Sequence, residues 1–152
     1  TGVNTNANPE IAWAVEMFGD TLVRRDKETV PTATLAGNKR IGLYFSAHWC
    51  PPCRSFTPKL VEVYNQLKEQ GKPFEIVLVS FDRDETGMFH YMEGEKMDWL
   101  AVPFDGPRQE LGEQFNVRGI PTLVILDGSG EAITATGRSD VMTDGADAYE
   151  QW

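Results

Sequence analysis

The chain has 152 residues, 41% of them hydrophobic and 24% charged, and its 14 Lys and Arg against 23 Asp and Glu give a formal net charge of −9. That length buries the core of one domain without staples, and the apolar fraction excludes wholesale disorder. Concentrated positive charge is missing, so neither a nucleic-acid partner nor contact with an anionic membrane is expected; two cysteines are too few for a disulfide-dense secreted scaffold.

The polar residues 1–10 are expected to form a frayed terminus. They carry no secretory signal pattern, and the chain starts at Thr1 rather than Met, as a piece of a longer protein does. Ile11, Ala14, Val15 and Phe18 recur at helical spacing and predict a short helix. Val30–Leu35 alternates weakly and reads as an edge strand. Ile41–Ser46 is a nearly continuous apolar run, the pattern of a strand buried on both faces. Pro51–Gly71 puts Phe56, Leu60, Tyr64 and Leu67 on one stripe opposite Lys59, Glu62, Gln66 and Glu69, an amphipathic helix stopped by glycine. Phe74–Ser80 is a second buried strand. Asp82-Arg83-Asp84-Glu85 has the pattern of a capping box and opens a helix to about Lys96, with Met88, Phe89 and Met92 turned to the core. Leu100–Phe104 reads as a strand and Pro107–Phe115 as a helix. Thr122–Leu126 and Glu131–Ala135 flank Asp127-Gly128-Ser129-Gly130 as a hairpin. This order predicts an α/β fold in one domain over residues 1–152, a mixed sheet with helices on both faces. No run approaches the roughly 20 apolar residues that span a bilayer.

The chemistry lies in Trp49-Cys50-Pro51-Pro52-Cys53-Arg54, where a buried strand gives way to a long helix. Residues three apart on a first helical turn are neighbours, so two sulfurs there can join with little backbone movement. Pro51 and Pro52 preset the helical start, and the unpaired amides and dipole of that turn favour a thiolate. Thiolates in such settings have pKa values of roughly 3.5–7.5, against about 8.5 for free cysteine. Cys50, at the outer lip of the turn, is assigned as the nucleophile. Cys53, one turn inward, is assigned as the residue that resolves the mixed disulfide. A zinc site built from Cys50, Cys53, His48 and His90 is the competing reading, but His90 lies in another predicted helix and no second paired spacing exists. No metal and no cofactor beyond a redox-active Cys50–Cys53 disulfide is expected. His48, Arg54, Asp82 and Glu85 are candidates for tuning the thiols. Against these roles stand plain readings: a surface histidine, a surface ion pair for Arg54, and helix capping by the two carboxylates. Trp49 reads as an aromatic anchor for a partner.

The Trp-Cys-x-x-Cys turn, the Gly119-Ile120-Pro121-Thr122 stretch and Pro58 eight residues after Cys50 together resemble the thioredoxin superfamily. The resemblance implies the thioredoxin fold, a cis bond before Pro121, and a backbone at Ile120 that pairs with a bound chain. Trp49, Pro51, Pro52, Ile120 and Pro121 would then form the partner-binding rim. Leu43–Arg54, Trp99–Phe104 and the closing Trp152 look like the nucleoredoxin and tryparedoxin branch, with His48 and the Val79–Arg83 stretch leaning toward nucleoredoxin. Asp98 stands where these relatives carry proline. Thioredoxins proper have a buried aspartate six residues before the first cysteine, where this chain has Tyr44, a poor proton acceptor at neutral pH.

The expected function is reduction of protein disulfides, with disulfide-containing proteins as partners, a dithiol or a reductase as electron donor, and a monomeric state. The expected location is the cytoplasm, with the nucleus as a second site. Two alternatives are a redox-sensitive binding module without turnover and a membrane-tethered bacterial reductase of haem-protein maturation. The motif itself leaves the potential open, since relatives range from roughly −270 to −120 mV.

Overall fold

The two nearly continuous apolar runs become the centre of the sheet. In the computed structural model, which describes residues 8–152, strand β3 (Arg40–Ser46) lies parallel to β4 (Phe74–Ser80), with Tyr44 beside Leu78 and Ser46 beside Ser80. Ahead of them come helix α1 (Ala12–Phe18), β1 (Thr21–Val23) and β2 (Thr29–Pro31). Between and after them come α2 (Pro51–Glu69), α3 (Glu85–Gly94), β5 (Leu100–Ala101) and α4 (Arg108–Gln114). A hairpin of β6 (Thr122–Asp127) and β7 (Ala132–Thr134) leads to α5 (Gly137–Asp144). The strand order is β2-β1-β5-β4-β3-β6-β7, with the β3, β4 and β5 pairings parallel and the outer ones antiparallel. This is the thioredoxin fold.

Alternation along β3 divides two cores. Ile41, Leu43 and Phe45 pack with Ala14 and Phe18 of α1 and Leu111 of α4. Tyr44 packs on the other face with Phe56 and Leu60 of α2, Met88 and Met92 of α3, and Trp99. Ser46, two residues further along, shares that second face. Phe89 joins the same core, as its helical spacing predicts. The 19-residue α2 ends at Glu69, and Gly71 just past its cap has a φ of +74°, the left-handed conformation that glycine adopts without strain.

Short elements depart from the expectations. Residues 1–7 lie outside the described residues, and fraying does not extend through Glu10: Asn8 caps a 3-10 turn at Pro9–Ile11 by accepting the Glu10 N–H. The edge strand stops at Pro31 rather than Leu35. There Thr32 turns away into a 3-10 helix, its hydroxyl donating to the Gly19 carbonyl at 2.6 Å. β1 escaped the pattern because three residues carry no readable period. β5 covers only Leu100–Ala101, since Pro103 has no N–H to extend the ladder toward Phe104. α3 begins at Glu85 and ends at Gly94, short of Lys96, whose φ is +57°. Helix α5 and the 3-10 helix Gly145–Gln151 fully bury only Gly137, Val141 and Ala148, with Ala146 and Tyr149 half-buried against the core, too irregular a stripe to read. Just beyond them Trp152 packs on Phe74 at 5.7 Å and donates its indole N–H to Asp140 at 3.0 Å.

Gly137 lets α5 approach β6: a Cβ there would lie 2.8 Å from the Leu123 carbonyl oxygen and from its Cγ. Backbone cannot yield as a flexible side chain does. Gly137→Ala is therefore expected to destabilise the domain by about 1–3 kcal/mol in urea unfolding, an overpacking cost; an unchanged midpoint would show that α5 shifts freely.

Candidate active site

β3 runs into α2 through Ala47, His48 and Trp49, and Cys50 is the helix N-cap. Its sulfur accepts the Cys53 N–H at 3.3 Å, so one of the orphan amides of the first turn points at Sγ. Pro51 and Pro52 occupy the first two helical positions, exposed, where a missing N–H costs nothing. Both cysteines are free thiols. Cys53 is fully buried and Cys50 keeps 5% of its surface, so the outer sulfur is more covered than the sequence suggested while still the more accessible of the two. Ala47, Phe81 and Ile120 pack around the pair. The Ile120–Pro121 bond is cis, and the Ile120 carbonyl lies 3.6 Å from the Cys50 sulfur, which donates to it. Pro121 is buried, while Ile120 is half-buried beside the sulfurs. Trp49 stands 49% exposed, fixed by its indole N–H on the Phe81 carbonyl at 2.9 Å and by the Arg83 guanidinium 5.7 Å over its ring.

Asp82 does not cap α3. That task falls to Asp84, which accepts the Gly87 N–H at 2.7 Å, and Glu85 is simply the exposed first residue of the helix. Asp82 is buried, and its two oxygens divide their work. Oδ1 accepts the His48 N–H at 2.8 Å; Oδ2 accepts the Ser80 hydroxyl at 2.7 Å. The Arg108 guanidinium, bonded to the Ser80 carbonyl at 2.7 Å, contributes an attractive charge to Asp82. The carboxylate thus holds the loop just ahead of Cys50 and does not face Cys53.

Behind Cys53 the structure gathers four hydroxyls that the sequence reading did not assemble, those of Tyr44, Ser46, Thr57 and Tyr91. Thr57 donates to the Cys53 carbonyl at 2.8 Å, and its oxygen meets Tyr44 at 2.6 Å and Tyr91 at 2.7 Å; Tyr91 meets Ser46 at 2.7 Å. Thr57 was legible as one turn beyond Cys53 on α2. Tyr91 arrives from α3, and no local pattern announces it. Burial pushes the Tyr44 hydroxyl up to about 12, so it is no substitute for a carboxylate as proton acceptor. Burial, and then the hydrogen bond with Cys50, push the Cys53 thiol up to about 11.

The remaining candidates lie outside this cluster. His48 stacks on His90 with ring centroids 5.8 Å apart and lies tilted against Tyr91 at 5.5 Å, so the imidazole sits toward α3. Arg54 is exposed and forms no ion pair among the described residues. Among those residues no group of three or more His, Cys, Asp or Glu is arranged to hold a metal ion. No helix there is long and apolar enough to cross a membrane.

A thiol whose pKa is raised on folding keeps its proton in the native state while the unfolded chain loses it. Its stabilising contribution is present below about 9, the ordinary value, and is lost as pH rises through about 11. The urea midpoint of the reduced protein is expected to fall across that window, and to fall less in Cys53→Ser. Equal slopes in the two proteins would contradict the burial of this thiol.

A family model described as thioredoxin-like matches residues 37–132. The probable nucleoredoxin 1 of Arabidopsis thaliana is 48% identical over 129 residues, 84% of this chain and 22% of that protein. Mouse (Mus musculus) nucleoredoxin is 44% identical over 141 residues, 89% of this chain and 32% of its own. The chain therefore spans less than a third of these curated relatives. Among solved structures, tryparedoxin II of Crithidia fasciculata superposes with a TM-score of 0.82 at 35% identity, covering 91% of this chain and 92% of that one. Thioredoxin of Wuchereria bancrofti superposes with 0.76 at 38% identity, covering 86% and 91%. With a cysteine pair at the start of α2 facing a cis-proline loop, the chain belongs to the thioredoxin-like oxidoreductase family, in its nucleoredoxin and tryparedoxin branch.

Proposed function

We propose that this domain reduces disulfide bonds in partner proteins through Cys50 and Cys53. The observation that carries the reading is the unequal placement of the two sulfurs. Cys50 has a backbone N–H on it and the greater exposure, whereas Cys53 is sealed and held as a thiol. That is a division between an attacking and a resolving group.

The Cys50 thiolate attacks one sulfur of a partner disulfide; a Cys50–partner S–S bond forms and the partner's other sulfur leaves with the electron pair and takes up a proton. Cys53 then loses its proton and attacks Cys50 Sγ. The Cys50–Cys53 bond forms, the mixed disulfide breaks, and the second partner sulfur leaves as thiolate and is protonated. The partner gains two electrons and two protons, and the domain is left oxidised. A dithiol or a reductase acting as electron donor restores it, so no metal or organic cofactor enters the cycle.

Partner contact falls to the rim of Trp49, Pro51, Pro52, Ile120 and Pro121. Trp49 is a rigid, half-exposed aromatic, suited to anchoring a chain. Among the described residues the Ile120 carbonyl is engaged by the weak Cys50 S–H contact, so a bound backbone N–H can take its place. Arg83 over Trp49 restricts the ring and adds charge at the rim. His48, Arg54 and Glu85 have no direct role in the exchange in this reading, and Asp82 acts by holding the loop. A reducing compartment suits the direction of transfer, the cytoplasm with access to the nucleus, where the domain works as a monomer.

Cys50→Ser is expected to abolish insulin-disulfide reduction under a dithiothreitol couple. Cys53→Ser is expected to accumulate a dithiothreitol-sensitive adduct on Cys50, seen as added mass on the intact protein. Multiple turnover by Cys50→Ser would overturn the assignment; so would a Cys53→Ser protein that turns over like the wild type.

A further inference from the structure

Two consecutive peptide planes at the end of β4 support the approach to Cys50. The first joins Ser80 to Phe81, and its N–H donates to the Ser46 carbonyl at 2.9 Å. The second joins Phe81 to Asp82. Its N–H donates to the Ser80 hydroxyl at 3.0 Å, and its carbonyl accepts the Trp49 indole N–H at 2.9 Å. Directly after it the Asp82 side chain accepts the His48 N–H at 2.8 Å. His48 and Trp49, the two residues just ahead of Cys50, are therefore both hung on this stretch.

The sheet stops supporting that stretch at the Ser80 carbonyl. β5 runs parallel to β4 with Ala101 beside Leu78, and the Val102 N–H donates to the Leu78 carbonyl at 2.9 Å. Two residues further along both chains, the same ladder would place the Phe104 N–H on the Ser80 carbonyl. The chain turns away instead, with the Gly106 N–H on the Pro103 carbonyl at 2.8 Å. Arg108, the first residue of α4, fills the gap: its Nη1 donates to the Ser80 carbonyl at 2.7 Å. Its Nε donates to the Phe104 carbonyl at 2.6 Å, and the guanidinium lies 3.7 Å from the centre of the Phe104 ring. Phe104 packs in turn against the core that holds Tyr44 and Trp99. A planar guanidinium held by two carbonyls and a ring is a fixed donor, which an ammonium on a flexible stem is not.

We propose that Arg108 is a positioning residue for partner binding: it takes the place of the missing strand N–H, fixes the Ser80–Phe81 plane, and through the Phe81 carbonyl fixes the direction of the Trp49 ring. The proposal rests on the reading of Trp49 as the anchor for a partner chain. A peptide unit is rigid, so its carbonyl swings only when the whole plane turns. Without Arg108 the first plane keeps only its bond to Ser46, and the carbonyl beneath the indole loses its set direction. The Cys50 sulfur takes its N–H from Cys53 on α2, which Arg108 does not touch. The loss therefore falls on capture of the partner rather than on the attack.

The four indole N–H groups, on Trp13, Trp49, Trp99 and Trp152, give separate peaks in a ¹H–¹⁵N spectrum, and Trp49→Ala identifies the one from Trp49. In Arg108→Met the solvent exchange of the Trp49 indole N–H is expected to quicken about fivefold. The indoles of Trp13 and Trp152, bonded to the Gly128 carbonyl and to Asp140, are expected to keep their rates. In insulin reduction under a dithiothreitol couple, the same variant is expected to raise KM about fivefold, with kcat within about twofold of the wild type. In a Trp49→Ala background Arg108→Met is expected to add less than about twofold to KM, because the ring it positions is gone. Arg108→Lys keeps the stem and the charge but loses the fork. It is expected to move exchange and KM in the same direction by about twofold, and it reads the effect if the methionine variant does not fold.

An unmoved KM in both Arg108 variants overturns the proposal. So does a KM that rises while the Trp49 indole exchanges as before, or one that rises as much in the Trp49→Ala background. Exchange that quickens equally at Trp13, Trp49 and Trp152 reports general loosening and also overturns it. Failure of the anchor reading looks different: Trp49→Ala alone would leave the KM for insulin at the wild-type value, and the proposal would fall with that reading.

Discussion

The whole site depends on where the chain leaves β3 and enters α2. That turn must place one sulfur on the open amides of the helix start and the other a full turn deeper, against the sheet. Asp82 fixes the approach to it. A buried carboxylate accepting a backbone N–H and a hydroxyl is costly to leave unpaired, so these bonds hold His48 and with it the loop between Ser46 and Cys50. The parallel pairing of β3 with β4 brings Asp82 there, because both strands end at the same level, Ser46 beside Ser80.

From that placement the chemistry separates. Cys50 lies among a backbone N–H, the Ile120 carbonyl and the half-open rim; Cys53 lies among Ala47 and hydroxyls in a sealed interior. Two identical side chains three residues apart thereby acquire different surroundings. Where a buried carboxylate would couple the inner sulfur to an acid–base group, this chain has a neutral cluster of hydroxyls behind it.

Much of this was legible in residue order. The apolar runs at Ile41–Ser46 and Phe74–Ser80, the stripe of α2 and the turn at Asp127–Gly130 each had a period or a turn chemistry strong enough to survive folding. The cysteine pair and the cis-proline loop were legible because their spacing and company are specific. What escaped did so for physical reasons. β1 and α5 are held by tertiary packing, Leu22 in one core and Val141 in the other, and have no periodic signal of their own. Asp82 and Asp84 are two residues apart and chemically alike, so only the fold decides which caps the helix and which supports the active-site loop. Ser46, Thr57 and Tyr91 come from three elements, and their union requires the face alternation of β3, the pitch of α2 and the docking of α3 together.

The central claim is that Cys50 and Cys53 form one two-electron couple. Equilibrating the protein across glutathione buffers of graded ratio, quenching with acid and counting species by intact mass tests it most directly. The account predicts a single transition of two-electron slope between dithiol and internal disulfide, with little glutathione adduct at any ratio. Separate one-by-one addition of glutathione to the two cysteines, with no internal disulfide at any ratio, would contradict it.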